Sequence, residues 1–440
     1  MNTHRVVITG LGAISPLGMN TQDLWNGLCE GRCGIDTIKA FDPVGFTCKI
    51  AGEVPEFKIQ KFLPKSHRKA TKLMCRDIKL AIIAANQAFE NSRLVTRATD
   101  PDNINIDPAG TAVNIGAAVI CCDLEELSPA VAKSIADGKF DIRKWGADGL
   151  EALTPLWLLK YLPNMPACHI AIIHDIQGPN NSITCGEASA HLAIGEAAQI
   201  IARGDADIAL AGGCDGKVNP IMMLRQCLLN RATTENNDNP DSSLRPFDSQ
   251  AKGSVFGEGA GMIILENIDN AKKRRANIYA EIVGVGSSNN LSGVYQRLED
   301  DGKGIQIAIE NAIQDARITP DEIDLIIPHG TGILADDKAE ATAIGNALGP
   351  AAEKALCWPT KSMLSNTGAA SGALDIIAAA KAICKGTVPA AKNCQTRADG
   401  CKLNITTQTQ QKNIRHALCC GYTFGGQTAA LIIKNLDGEI

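Results

Sequence analysis

Apolar residues in this chain fall into short unbroken runs, most bounded by glycine, that alternate with longer stretches at helical spacing. Runs of that kind read as strands buried on both faces, and their alternation with helices reads as an α/β chain. Residues 6–13 (Val-Val-Ile-Thr-Gly-Leu-Gly-Ala) predict a buried strand running into a glycine turn. Further strands are predicted over 110–122, 206–215, 262–265, 278–286, 323–327 and 428–434, with a strand and loop at 361–363. Helical spacing predicts helices over 21–29, 77–91, 153–161, 304–316, 337–348 and 372–384. The third of these is broken by Leu162-Pro163-Asn164-Met165-Pro166. Residues 56–70 and 271–275 carry Lys and Arg and read as solvated surface.

One stretch organises the rest: Gly178-Pro179-Asn180-Asn181-Ser182-Ile183-Thr184-Cys185-Gly186-Glu187-Ala188-Ser189-Ala190-His191. Residues 182–185 predict a short buried strand, and Gly186 permits a sharp turn. From Ala188, small and aliphatic residues predict a helix that ends at Gly204. Such an elbow lifts one side chain over a helix N-terminus, where unpaired N–H groups and the macrodipole favour negative charge. A nucleophile belongs in that seat. Glu187 occupies it.

Length and composition narrow the picture. A chain of 440 residues buries a large core in one large or two fused domains. Aromatics at 4% and 41 glycines imply a core of small and aliphatic residues with close backbone approaches. The net charge of -5 and the lack of a basic block argue against nucleic acid or a membrane surface, and no apolar run suffices to span a bilayer. The N-terminus enters a strand at once and does not read as a signal peptide, so a cytoplasmic protein is expected. Sixteen cysteines include no Cys-x-x-Cys, and the adjacent pairs Cys121-Cys122 and Cys419-Cys420 sit in apolar runs. They read as small buried hydrophobes rather than metal ligands. Gly10-x-Gly12 lacks the third glycine of a dinucleotide site. Each half opens on a strand with Gly-x-Gly and closes on a strand associated with a glycine pair, which suggests a duplicated α/β unit with two sheets sandwiching helices.

Several motifs follow one another in order: the initial Val-Val-Ile-Thr-Gly-Leu-Gly, Arg245-Pro-Phe-Asp248, Gly257-Glu-Gly-Ala-Gly261, His329-Gly-Thr331, Asp337-Lys-Ala-Glu340, Lys361-Ser-Met363 and Phe424-Gly-Gly426. With them the chain resembles, over essentially its whole length, an elongating β-ketoacyl-acyl carrier protein synthase of the thiolase superfamily. The resemblance implies a five-layered αβαβα fold of two duplicated halves, 1–265 and 266–440, a dimer, and a role in fatty acid or polyketide chain building. It also implies site residues. The family's nucleophilic cysteine falls on Glu187, its first histidine on His329, its lysine on Lys361 and its second histidine on Asn366. The oxyanion and gating loop falls on Phe424, Gly425 and Gly426, and the acyl tunnel and interface on Ala117, Ala118, Val119 and Ile120. Segment 289–296 departs from the family's usual loop. Cys185 lies two residues before the seat and reads as a strand residue with a core thiol, as do Cys214 and Cys420.

Acyl transfer onto a carboxylate would give a mixed anhydride, far less stable than the thioester it came from. The helix end should keep Glu187 ionised, with His329 and Lys361 as its expected partners. Loss of the cysteine within an intact frame resembles the chain length factor (ketosynthase β) of type II polyketide synthases, although glutamine is commoner there than glutamate. The expected function is a non-condensing subunit, paired with a catalytic ketosynthase, that shapes the acyl tunnel in polyketide or in aryl polyene or fatty-acid-like synthesis. Acyl groups would arrive on the phosphopantetheine of acyl carrier protein, with no metal or diffusible cofactor. Two alternatives stand beside it. One is a malonyl-acyl carrier protein decarboxylase that makes primers, since His329 and Asn366 resemble the His–Asn pair of the initiating branch; a charged Glu187 would repel the malonyl carboxylate. The other is a condensing enzyme using Cys185.

Overall fold

The computed structural model describes residues 4–292 and 298–436; Met1 to Thr3 of the N-terminal reading and Gly293 to Gln296 of the divergent segment lie outside them. Eleven strands form one hydrogen-bonded ladder: β1 Val6–Ile14, β2 Thr111–Ala117, β3 Asn180–Thr184, β4 Ile208–Gly216, β5 Glu258–Asn267, β6 Ala280–Asn289, β7 Leu325–Ile327, β8 Leu356–Cys357, β9 Asn404–Ile405, β10 His416–Tyr422 and β11 Gln427–Lys434. Their spatial order is β9-β8-β7-β10-β11-β6-β1-β5-β4-β2-β3. The ladder is two arrays joined at a short seam, where Val6–Ile8 of β1 meet Ala280–Ile282 of β6. From that seam outward each array repeats the same pairing. β1-β5-β4 and β6-β11-β10 are antiparallel, and the strands beyond, β2-β3 and β7-β8, join in parallel.

Seven helices complete the layers: α1 Thr21–Cys29, α2 Arg76–Ser92, α3 Met165–His174, α4 Ser189–Arg203, α5 Lys303–Ala316, α6 Leu334–Leu348 and α7 Ser371–Lys385. Strand alternation shows how they stack. In β4, Ala209 and Ala211 face a central core with Ile194 of α4 and Ile376 of α7, while Leu210 faces an outer core with Ile82 of α2 and Ile170 of α3. In β10, Ala417 and Cys419 face the same central core, while Leu418 and Cys420 face Ile309 of α5 and Ile344 of α6. The result is five layers, αβαβα. No described helix is long and apolar enough to cross a membrane.

The repeated Gly-x-Gly serves packing. A Cβ on Gly12 would lie 1.9 Å from the Ala84 carbonyl oxygen of α2, and one on Gly286 would lie 2.0 Å from the Ala308 carbonyl oxygen of α5. The preceding glycines, Gly10 and Gly284, press on Ala88 and Ala312 in the same way. Each sits beside a break in strand register, at Ile8/Gly10 and at Ile282/Gly284. Helix and sheet approach so closely that only hydrogen fits between them.

Several expected elements are corrected. The strand before the elbow is Asn180–Thr184, and it is partly exposed because it forms one edge of the ladder. Cys185 lies outside it. The strand expected over 110–122 stops at Ala117. Residues 361–363 belong to a helical turn, Lys361–Leu364. Only Trp157–Tyr161 of the helix expected over 153–161 forms, as a 3₁₀ turn, and Pro166 sits in the first turn of α3, where its missing N–H costs nothing. Ala271 is fully buried, so segment 271–275 is not all surface.

Overpacking this contact predicts that Gly12→Ala and Gly286→Ala each lower unfolding free energy by about 1–3 kcal/mol, read from denaturant midpoints. An unchanged midpoint for both would show that the helices can move away freely.

Candidate active site

Glu187 is the middle residue of the 3₁₀ turn Gly186–Ala188 that joins β3 to α4. Gly186 makes the turn at φ 54°. Ser189 pins it, accepting from Cys185 N at 2.8 Å and donating to the Ala117 carbonyl of β2 at 2.9 Å. The second half builds the same elbow: Gly368 at φ 58°, the 3₁₀ turn Gly368–Ala370, then α7 starting at Ser371. Both helices end on a left-handed glycine, Gly204 and Gly386.

The Glu187 carboxylate is buried and accepts a hydrogen bond from Lys217 Nζ at 3.0 Å. Lys217 directly follows β4 and also lies 3.5 Å from Asp215 Oδ2. That oxygen accepts from Ala369 N of the second elbow at 2.9 Å. One ammonium therefore ties the two elbows together. Burial alone would raise the Glu187 carboxyl, but the charges of Lys217, His329 and Arg231 oppose it and hold it at about 2. Lys217 does most of this, because burial keeps His329 itself neutral. Burial pushes Asp215 up to about 7 despite Lys217, so the cluster stays close to neutral overall.

His329 follows β7, and its loop is held by Glu340, which accepts from His329 N at 2.6 Å and Gly330 N at 2.8 Å. Its ring stands edge-on to Tyr422 at 4.6 Å, and Nδ1 has no partner. Lys361 does not pair with Glu187. It bonds Asp375 of α7 at 2.9 Å, while Thr360 holds the other oxygen of that carboxylate at 2.6 Å. That fully buried acceptor satisfies Lys361, which leaves Glu187 to Lys217. Asn366 braces the second elbow: its side-chain oxygen accepts from Gly368 N at 3.1 Å, and its main chain bonds Val255 and Gly257. No hydrogen bond joins Asn366 to His329 among the described residues.

Phe424, Gly425 and Gly426 form the turn between β10 and β11, closed by Gly426 N donating to Thr423 O at 2.9 Å. Thr423 touches the elbow, since a Cβ on Gly186 would lie 2.8 Å from its hydroxyl. The guanidinium carbons of Arg231 and Arg225 lie 4.9 Å and 5.9 Å from the centre of the Phe424 ring, and Arg231 is paired with Asp336 at 2.7 Å. Beside Glu187 is a cavity of 160 Å³ whose walls include Ala118, Val119, Phe424 and Gly425. Ala117 ends β2, with its carbonyl taken by Ser189, and Ile120 packs into the outer core with α2 and α3. Cys185 is half-buried and lines this cavity, so it is not a core thiol, and burial raises its pKa. Cys214 and Cys420 are core thiols.

Sequence reasoning missed Lys217, Arg231 and Asp336. A lone lysine closing the run Gly212-Gly213-Cys214-Asp215-Gly216 was a usable signal for the first. Nothing local marked the other two. Behind Glu187, His191 is buried against Gly372 and Gly421 with both ring nitrogens unpartnered, and burial holds it at about 3.

Residues 3–271 match the family model for the β-ketoacyl synthase N-terminal domain, and residues 279–395 match the C-terminal domain. The chain is 31% identical to "3-oxoacyl-[acyl-carrier-protein] synthase 2" of Coxiella burnetii, over 99% of this chain and 100% of that one. It is 32% identical to the Synechocystis protein of the same description, over 99% of both. Among solved structures, a β-ketoacyl synthase from Burkholderia phymatum superimposes with TM-score 0.85 at 25% identity, covering 98% of this chain and 99% of that one. "The ishigamide ketosynthase/chain length factor" gives TM-score 0.83 at 28% identity over the same shares. A type II PKS acyl-carrier protein in complex with its ketosynthase bound to the hexaketide gives 0.81 at 26%, again over 98% and 99%.

Three outcomes follow from the buried ionisable groups. Glu187→Gln should cost about 3–5 kcal/mol by stranding Lys217, and Glu187→Gln combined with Lys217→Met should recover most of it; equal losses would disprove the coupling. The folded-state value of Glu187 lies below its ordinary 4.5, so the stability it contributes is complete above about pH 4.5 and lost as pH falls towards 2. His191 acts earlier on acidification. Below its ordinary 6.5 the unfolded state takes a proton that the folded state refuses until about 3. Stability should therefore fall with pH in that window, and His191→Leu should flatten the fall by about 1.4 kcal/mol per pH unit in denaturant titrations.

Proposed function

Because the chain belongs to the β-ketoacyl synthase family, we propose that it acts there as a chain length factor, a non-condensing subunit that pairs with a catalytic ketosynthase. The observation that carries this reading is the occupied seat. Where acyl transfer needs a thiolate over the helix end, Glu187 is bound to Lys217 and ionised. Attack by that carboxylate would require breaking a buried ion pair to form a mixed anhydride, uphill on both counts. In this reading Phe424 and the loop around His329, both set beside Glu187, are the remaining frame of a condensing site without its nucleophile.

Pairing with a second chain is supported by the open edge of the ladder at β3. Exposed Val119 lines the cavity beside it, and exposed Leu224 and Leu228 stand on the helix Pro220–Leu228, which supplies another wall. The similarity to the ishigamide ketosynthase/chain length factor points the same way. In this role Ala118 and Val119 shape the acyl path, and acyl groups arrive on carrier protein.

Expressed with a cysteine-bearing ketosynthase of the same organism, the chain should purify as a one-to-one heterodimer. Alone it should neither condense acyl- with malonyl-carrier protein nor gain an acyl adduct by intact mass. Recovery of a homodimer only, or an adduct that vanishes in Cys185→Ser, would overturn the proposal. Carbon dioxide release from malonyl-carrier protein that is lost in Glu187→Ala would favour a decarboxylase instead.

A further inference from the structure

The open edge of the ladder carries a side chain that partly closes it. Val113 N of β2 donates to the Pro179 carbonyl at 2.9 Å, and the register runs on through Asn114↔Asn181 and Ile115↔Ser182. Alternation along β3 then turns the main-chain groups of Asn181 and Ile183 towards β2, and those of Asn180, Ser182 and Thr184 towards the open side. At the middle of that open row, Ser182 N donates to Asn181 Oδ1 at 2.9 Å. A strand laid along this edge needs the same N–H.

Beside Asn181 lies a group with the opposite problem. Asn114 is its register partner on β2, so the two side chains leave the sheet on the same face, from strands about 4.8 Å apart. Amides at that spacing bond to one another as a ladder. The face is the central one: Ala112 packs there with Ile194 of α4, while Val113 and Ile115 face the outer core. Asn114 is fully buried. Among the described residues neither its amide nitrogen nor its amide oxygen has a hydrogen-bond partner. Asn181 is exposed, and its oxygen is taken by Ser182.

We infer that Asn181 is a latch that couples strand addition at this edge to the buried Asn114. In the free chain its side chain covers the Ser182 N–H and blunts the edge. When an edge strand of the ketosynthase partner supplies a carbonyl to that N–H, the Asn181 amide turns inward and pairs with Asn114, which removes the cost of an unpaired buried amide. The inference rests on the subunit reading above and adds to it the residues through which the partner is sensed.

The dissociation constant of the heterodimer tests it, measured for the native chain, Asn114→Val, Asn181→Ala and the double variant. Asn114→Val removes the inner partner of the latch, so the heterodimer should weaken about tenfold. In the Asn181→Ala chain the same substitution has no latch to act on and should change the constant by less than about twofold. A packing change caused by valine is present in both backgrounds and cancels in the comparison; Asn114→Ala serves as the second substitution at the site. An equal effect in the two backgrounds overturns the inference, and so does no effect in either. Failure to form any heterodimer refutes the subunit role alone, and the same comparison on self-association of the chain then reads the latch. A chain that stays monomeric refutes both. One that pairs with a ketosynthase but shows no difference between backgrounds refutes the latch alone.

Discussion

The site is built around one ammonium group with nowhere to go. Lys217 ends up buried between two helix N-terminal elbows, where an unpaired cation would be costly. Glu187 from one elbow neutralises it, and Asp215 links it to the backbone of the other. The first elbow is therefore filled by half of an ion pair that the surrounding fold cannot easily give up. Glu187 is part of what holds the centre of the molecule.

That arrangement is possible because the chain folds the same unit twice. Each half supplies a Gly-x-Gly strand pressed onto a helix backbone, and each supplies an elbow with a left-handed glycine before a central helix. The two elbows meet, but they are not equivalent. The place that Glu187 takes in the first is taken by Ala369 in the second, so a side chain fills the shared space from one side only. Lys361, at the turn before the second elbow, is drawn off to Asp375 and leaves the centre to Lys217.

Much of this could be read along the chain. The strands at 6–13, 206–215 and 428–434 and the helices at 77–91, 304–316 and 372–384 lie close to their predicted places because their apolar periodicity is strong. Predictions failed where local pattern and tertiary position disagree. Residues 182–185 read as a buried strand, but the strand that forms is Asn180–Thr184 and lies at an edge, and Cys185, taken for a core thiol, lines a cavity. Glu187's partner was misread for the same reason. Lys361 belongs to a recognisable motif, whereas Lys217 is an isolated residue whose importance comes only from where β4 ends.

The sequence by itself determined the αβ alternation, the duplication, the elbow and the carboxylate it carries. These are consequences of local spacing and of side-chain type, which neighbours along the chain express. Only the tertiary structure decided which cation meets Glu187 and that β3 is left at an open edge. Burial and charge pairing depend on residues brought together from distant parts of the chain, and no local pattern records which of them will meet.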